Sequence, residues 1–313
     1  MNRRQFIQQA ATLSATAASL PFSGCESDSH RTQSGRKPRF KISLAEWSYH
    51  NALFAKKISH LDFPVVARRD HGIDAIELVN QFFMDQATDR PYLAEFKRRC
   101  ASEGVSTKLI MCDDEGNLGD PESSKRRQAV RNHHKWADAA QYLGCHSIRV
   151  NAETEGVGSF EEQQKRAADG LHELTVYCGK LGLNCIVENH GHLSSNGAWL
   201  SGVMRLINLP NAGTLPDFGN FSLGDGTSYD RYKGVAEMMP FAKAVSAKSY
   251  DFDANGNCIE TDYRRMMKIV LDAGYNDWLG IEYEGEHLPE RDGVQATLVL
   301  LNRIGTEGIG VSP

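Results

Sequence analysis

After residue 40 no apolar run approaches the length that crosses a bilayer, and the seven cysteines contain no CxxC pair. The first absence argues against a membrane-spanning body, and the second leaves the cysteines without metal or redox spacing. Cys112, Cys145 and Cys185 fall in or beside apolar strands and read as buried free thiols. Positive charge is also scarce: 35 Lys and Arg face 40 Asp and Glu, for a formal net charge of -5 with the signs mixed along the chain. A nucleic-acid surface needs a basic stripe, so no nucleic-acid partner is expected. Finally, no glycine-rich phosphate turn follows the first strand, which places a doubly wound nucleotide fold second.

What is present begins with an address. Asn2-Arg3-Arg4-Gln5-Phe6-Ile7 followed by an Ala-rich run from Ala10 to Leu20 has the organisation of a twin-arginine export signal. Phe22-Ser23-Gly24-Cys25 then resembles a lipoprotein processing site, which predicts lipidation of Cys25 and attachment of an exported, periplasmic or cell-envelope protein to the membrane. Phe22 stands where an aliphatic residue is usual. The expected organisation is a signal over 1–25, a polar flexible linker over 26–38, one domain over 39–305 and a tail over 306–313. Because twin-arginine export moves folded proteins, such a chain needs no disulfides outside the cytoplasm.

From Arg39 onward, short β-branched or apolar runs alternate with amphipathic stretches, and 41% hydrophobic residues suffice for a core. The pattern predicts strands at 40–47, 75–79, 106–112, 147–151, 184–188, 213–217, 244–248 and 278–283. Helices are predicted at 64–71, 91–103, 123–143, 160–181, 198–206, 229–238, 262–273 and 293–303. Gly72, Gly104, Gly144, Gly182 and Gly274 stand where helices stop before the next strand, the position of a left-handed C-cap. Eight βα units in this length specify an α/β fold, a (β/α)₈ TIM barrel, whose chemistry sits at the C-terminal ends of the strands.

Those ends carry the charged residues. Glu188, Asp217, Ser246 and Glu282 follow one another at spacings of roughly 30 residues, the length of a strand, loop and returning helix. Adjacent parallel strands therefore bring two glutamates and an aspartate together as an oxygen-rich site for a divalent cation. Trp47, Glu77, Cys112, Asp113, Arg149, Asn151, His190, Asn220, Lys248, Tyr250 and Glu284 are placed on the same rim. Glu77 and Asp113 either bind hydroxyls or neutralise Arg149. His190, Lys248, Arg149, Asn220, Trp47 and Tyr250 are the candidate substrate-binding residues, although an aromatic such as Trp47 at a barrel mouth is more often lid packing than a ring-stacking surface. His133 and His134, on a long helix, are not expected to be ligands.

The succession Val187-Glu188-Asn189-His190, Leu215-Pro216-Asp217-Phe218-Gly219-Asn220, Val245-Ser246-Ala247-Lys248 and Gly280-Ile281-Glu282-Tyr283-Glu284 resembles the xylose isomerase-like, sugar phosphate isomerase/epimerase superfamily of TIM barrels. That group includes endonuclease IV relatives and inosose dehydratases. The resemblance implies metal ligands at Glu188, Asp217 and Glu282, with Ser246 standing where the family has a histidine. A site of oxygen donors suits Mn²⁺ or Mg²⁺ better than Zn²⁺, which loses its preferred nitrogen. His190 is placed to substitute for that histidine, and the Lys248 ammonium to take part of the charge role of a metal.

The resemblance further implies proton transfer beside a sugar carbonyl, with Glu188 and Glu282 as the catalytic acid/base pair as well as ligands. Returning the proton to the same carbon gives an epimerase, and to the neighbouring carbon an isomerase. Expelling a β-substituent from an oxidised sugar or glycoside gives a lyase. A non-catalytic sugar-binding lipoprotein is the alternative from another class. Export favours a free, oxidised or glycosidically linked sugar over a phosphorylated one.

Overall fold

A computed structural model of the chain describes residues 39–307. The predicted export signal, Cys25, the linker over 26–38 and the tail from 308 lie outside the described residues. The strands are β1 (Lys41–Ala45), β2 (Ala75–Val79), β3 (Ser106–Met111), β4 (Ser147–Val150), β5 (Asn184–Glu188), β6 (Ala212–Leu215), β7 (Val245–Ser249) and β8 (Trp278–Tyr283). They pair in parallel in the order β6-β5-β4-β3-β2-β1-β8-β7. Between β6 and β7 the connection is made by isolated bridges, Thr214 with Ala242 and Asp217 with Ser246. Main-chain hydrogen bonds from Lys243 N to Thr214 O (3.0 Å) and from Ser246 N to Pro216 O (3.0 Å) close the ring, so the predicted barrel is the observed fold.

The crossover helices are α1 (His50–Phe54), α2 (Phe63–Val65), α3 (Arg90–Glu103), α4 (Ser123–Leu143), α5 (Phe160–Lys180), α6 (Gly197–Ile207), α7 (Arg231–Met238), α8 (Tyr263–Asp272) and α9 (Glu290–Glu307). Gly104 and Gly144 cap α3 and α4 with φ of 65° and 85°, where any side chain would be strained. At the other end of its helix, α5 starts on a reciprocal capping box between Ser159 and Glu162. Inward-facing Val79, Leu109, Met111, Ile186 and Leu215 fill the barrel, while a larger apolar layer containing Trp136 and Trp199 seals helices to strands.

Two expectations need correction. The first strand was predicted through Trp47, but β1 stops at Ala45 and Glu46–Tyr49 turn as a 3₁₀ helix. Buried Glu46 directs its carboxylate sideways, accepting from Val79 N at 3.0 Å and meeting His60 Nδ1 at 2.7 Å, which ends the extended run. The predicted helix from Pro64 to His71 is instead the short α2 followed by a π-turn over Val66–Asp70. Among the described residues no helix is long and apolar enough to cross a membrane.

Candidate active site

Glu188 ends β5, Asp217 lies two residues beyond β6, and Glu282 is on β8, so each comes to the rim from a different strand of the closed ring. All three are buried, and one oxygen from each lies within 4.8 Å of the others, an acidic triad able to bind a metal ion. Such crowding of like charges is costly unless cations, protons or hydrogen bonds relieve it.

The hydrogen bonds are numerous. Asp217 Oδ1 accepts from the backbone of Gly219 (2.7 Å) and Asn220 (2.8 Å), and its Oδ2 lies 2.7 Å from the Ser246 hydroxyl. That hydroxyl is also 2.9 Å from Glu282 Oε2, so Ser246 bridges two of the three carboxylates from β7. Asn220 Nδ2 donates to Glu188 Oε1 at 2.9 Å. The other oxygen, Oε2, is 2.7 Å from Arg149 Nε, yet neither atom gains a properly directed hydrogen bond. Buried Asn189, to which sequence reasoning assigned no role, ties the two loops together: its Oδ1 accepts from Asp217 N (2.7 Å) and its Nδ2 donates to Asp217 O (3.1 Å).

Two buried cations offset the acids. Arg149 donates to Asp113 at 2.7 Å, and Asp113 also lines the cavity that opens over the site. Lys248 Nζ lies 3.2 Å from Glu282, 3.3 Å from Glu284 and 3.8 Å from Asp217, and donates to Asn220 Oδ1 at 3.3 Å. Glu284 is in turn held by the Trp47 indole N–H. Burial, reinforced by the neighbouring carboxylates, pushes Glu188 and Asp217 up to about 7, against the opposing pull of Arg149 and Lys248 respectively. For Glu282 burial acts the same way, but Lys248, Arg149 and the Ser246 hydrogen bond outweigh it and hold the carboxyl below its usual value. Lys248 is driven the other way: burial disfavours its charge, and Asp217, Glu282 and Glu284 overcome that and keep it an ammonium.

A cavity of about 310 Å³ opens over this centre, with Trp47, Arg149, His190 and Glu282 among its walls. Glu188, Asp217, Asn220, Lys248 and Tyr250 are not on those walls; the carboxylates among them sit deeper than Glu282. Tyr250 packs its hydroxyl on Gly219, where a Cβ would come within 2.7 Å, and this contact explains the glycine. Glu77, expected on the rim, is inside the barrel instead. It is mid-strand, accepts from the Ser43 hydroxyl at 2.6 Å, and leaves Oε2 without a partner. His133 does reach the cavity wall, donating from Nδ1 to Ala129 O (2.7 Å), while His134 stacks on Tyr177 at 3.7 Å. Sequence reasoning missed Glu153, which follows β4 and lines the cavity; its place in a loop after a strand end was the available signal.

Residues 65–304 match the xylose isomerase-like TIM barrel family. No curated protein sequence matches the chain. Solved structures of low sequence identity share its fold. A sugar phosphate isomerase/epimerase from Parabacteroides distasonis aligns with a TM-score of 0.67 at 11% identity, over 87% of this chain and 96% of that one. A 3-keto-D-glucoside 4-epimerase from E. coli gives 0.61 at 13%, over 85% and 100%. A xylose isomerase-like TIM barrel protein from Mycobacterium smegmatis, in complex with magnesium, gives 0.62 at 15%, over 88% and 98%.

Proposed function

Because the chain belongs to the xylose isomerase-like TIM barrel family, we propose that it is an enzyme moving a proton beside the carbonyl of a sugar, with a divalent cation held by Glu188, Asp217 and Glu282. The observation that carries this reading is the convergence of three buried carboxylates within 4.8 Å. The donor set fits a hard cation. Every donor is oxygen, Glu188 Oε2 is buried without a hydrogen bond, and Ser246 adds a hydroxyl where a nitrogen ligand would favour zinc. Mg²⁺ or Mn²⁺ is therefore the expected ion. When bound, such an ion polarises a carbonyl and neighbouring hydroxyl and so acidifies the C–H between them.

The chain's own residues supply the proton traffic. Glu188 takes up and gives back the proton; burial raises its carboxyl to about 7 in the metal-free site, and a bound cation would bring it down and keep it a base. Glu282, held ionised chiefly by Lys248 against its burial, is the complementary base. Arg149 and Asn220 fix the Glu188 carboxyl from two sides, and the cavity above lets a ring reach Glu282. Trp47 and His190 on the cavity wall are placed to touch that ring. The fold is shared with an epimerase acting on a keto-glucoside and with a sugar phosphate isomerase/epimerase, which supports a sugar substrate. The paired arginines and Cys25 support export and a lipid anchor for this enzyme.

Glu188→Gln and Glu282→Gln test the assignment, assayed with metal content measured in the same samples. Each variant is expected to lose on the order of 10²- to 10⁴-fold in rate beyond any loss of metal. Wild-type protein should wash solvent deuterium into the substrate of an epimerase or isomerase, or release a β-substituent as a lyase. Sugar binding without either reaction would make the chain a binding protein.

A further inference from the structure

We propose that the substrate is an uncharged glycoside, oxidised to a ketone at a ring carbon so that it carries the carbonyl the reaction needs, whose second group, a further sugar ring or an aromatic aglycone, occupies a separate outer cavity beside the carboxylate centre. This rests on the function proposed above, which places the reacting ring in the central cavity. That cavity, at about 310 Å³, is at the small end of the roughly 300–1,000 Å³ of ligand sites, while the outer one measures about 590 Å³. Glu153 is a wall of both. His190 faces the inner space and His192, two residues on, the outer. Asn117 of the central wall also donates to Glu155 of the outer wall, so the two spaces are built as neighbours.

The chemistry of the outer lining selects its occupant. Glu153, Glu155 and Asp225 contribute acid, and no lysine or arginine lines the space, so a phosphate or carboxylate is repelled. Phe160, Leu193 and Leu223 provide apolar surface of the kind that meets the flat face of a ring, with Gln163 and Asn196 at its edge for hydroxyls. Backbone conformation marks the same place. Glu155 and His192 hold φ of 60° and 50°, and Asp114 of the central wall 62°, in the left-handed region that non-glycine residues seldom adopt outside sites that require it. Gly224 lies so close on the His192 ring that a Cβ would be 2.3 Å from Nδ1. The β6–α7 loop thus rests directly on a wall of the outer cavity.

The test compares methyl and 4-nitrophenyl glycosides of glucose, galactose, mannose and xylose, both anomers, as unreactive analogues of the ketone, by calorimetry on the wild-type protein and on the double variant Leu193→Ser/Leu223→Ser. For the sugar that binds, the nitrophenyl compound is expected to bind at least about tenfold tighter than the methyl compound, equivalent to burying roughly 60 Å² of apolar surface. Removing these apolar side chains from the outer cavity should cut that ratio at least about threefold, with methyl glycoside binding unchanged. A ratio near one in the wild type overturns the proposal, and so does a ratio that the double variant leaves unchanged, since the second group then lies elsewhere. Intermolecular nuclear Overhauser effects between nitrophenyl protons and leucine methyl groups read the same contact in the wild type. Their absence overturns the proposal however the variants fold. If no glycoside of either kind binds, the sugar reading falls with it; equal binding of both kinds removes the outer subsite alone.

Discussion

Replacing Glu77 by glutamine should stabilise the barrel at alkaline pH and leave it nearly unchanged at pH 5. Glu77 is sealed inside the ring, one oxygen held by Ser43 and the other unpartnered, and its burial pushes the carboxyl up to about 8. An unfolded chain would titrate this group at its ordinary value of 4.5. Between those two values the folded state holds a proton that the unfolded state has released. Stability from this group is therefore complete below pH 4.5 and drains away as pH rises toward 8. At about 1.4 kcal/mol per pH unit, the loss between pH 5 and pH 8 is about 4 kcal/mol. Glutamine keeps the acceptor for Ser43 and cannot ionise. Thermal melts of both proteins at half-unit pH steps should show the variant's advantage growing by on the order of 10 °C across that range. A difference in Tm that is flat with pH would refute the assignment of a buried proton to Glu77.

Asp217→Ala should abolish uptake of Mg²⁺ or Mn²⁺ measured by calorimetry and elemental analysis; wild-type uptake would remove Asp217 from the ligand set. Lys248→Met strands Glu282, Glu284 and Asp217 without their ammonium and should cost about 3–5 kcal/mol in metal-free buffer. Added Mg²⁺ should recover more thermal stability in this variant than in the wild type, and equal recovery would show that Lys248 does not offset the triad. In cells, Cys25→Ala should leave export intact and release the protein from the membrane fraction; unchanged retention would argue against a lipid anchor.

The barrel was legible because its signals are local. β2, β5 and β8 begin and end where the runs of apolar residues do, and the five glycines expected to end helices all carry positive φ, from 65° at Gly104 to 85° at Gly144. The triad was legible for a related reason: charged residues stand out at the ends of strands, and near-regular spacing puts them on neighbours. What escaped depends on contacts between distant segments. Nothing near Glu46 in sequence announces that it will pair with His60 and cap Val79, so β1 was drawn too long. The depth of Glu77 follows from the opening left by Gly280 on β8, the strand on the other side of β1, where a Cβ would lie 2.5 Å from its carboxylate. Asn189 could not be assigned because its partners, the main chain of Asp217 and Asn220, are set by how two loops fold against each other. The fourfold engagement of Lys248 was not legible either, because it required the positions of Glu282, Glu284, Asp217 and Asn220 together.

The ring is joined between β6 and β7 by isolated bridges rather than a ladder, and one of those bridges pairs Asp217 with Ser246. The seam of the barrel and the floor of the site are therefore the same few atoms. Any excursion that parts these strands withdraws Asp217 from Glu188 and Glu282, and anything that binds the three carboxylates at once acts as a clasp on the joint. If the site takes a cation, its occupancy and the closure of the cylinder should therefore rise and fall together. Amide exchange at Ser246 and Phe218, whose N–H groups cross the joint at 3.0 and 3.2 Å, would report it without any knowledge of the reaction.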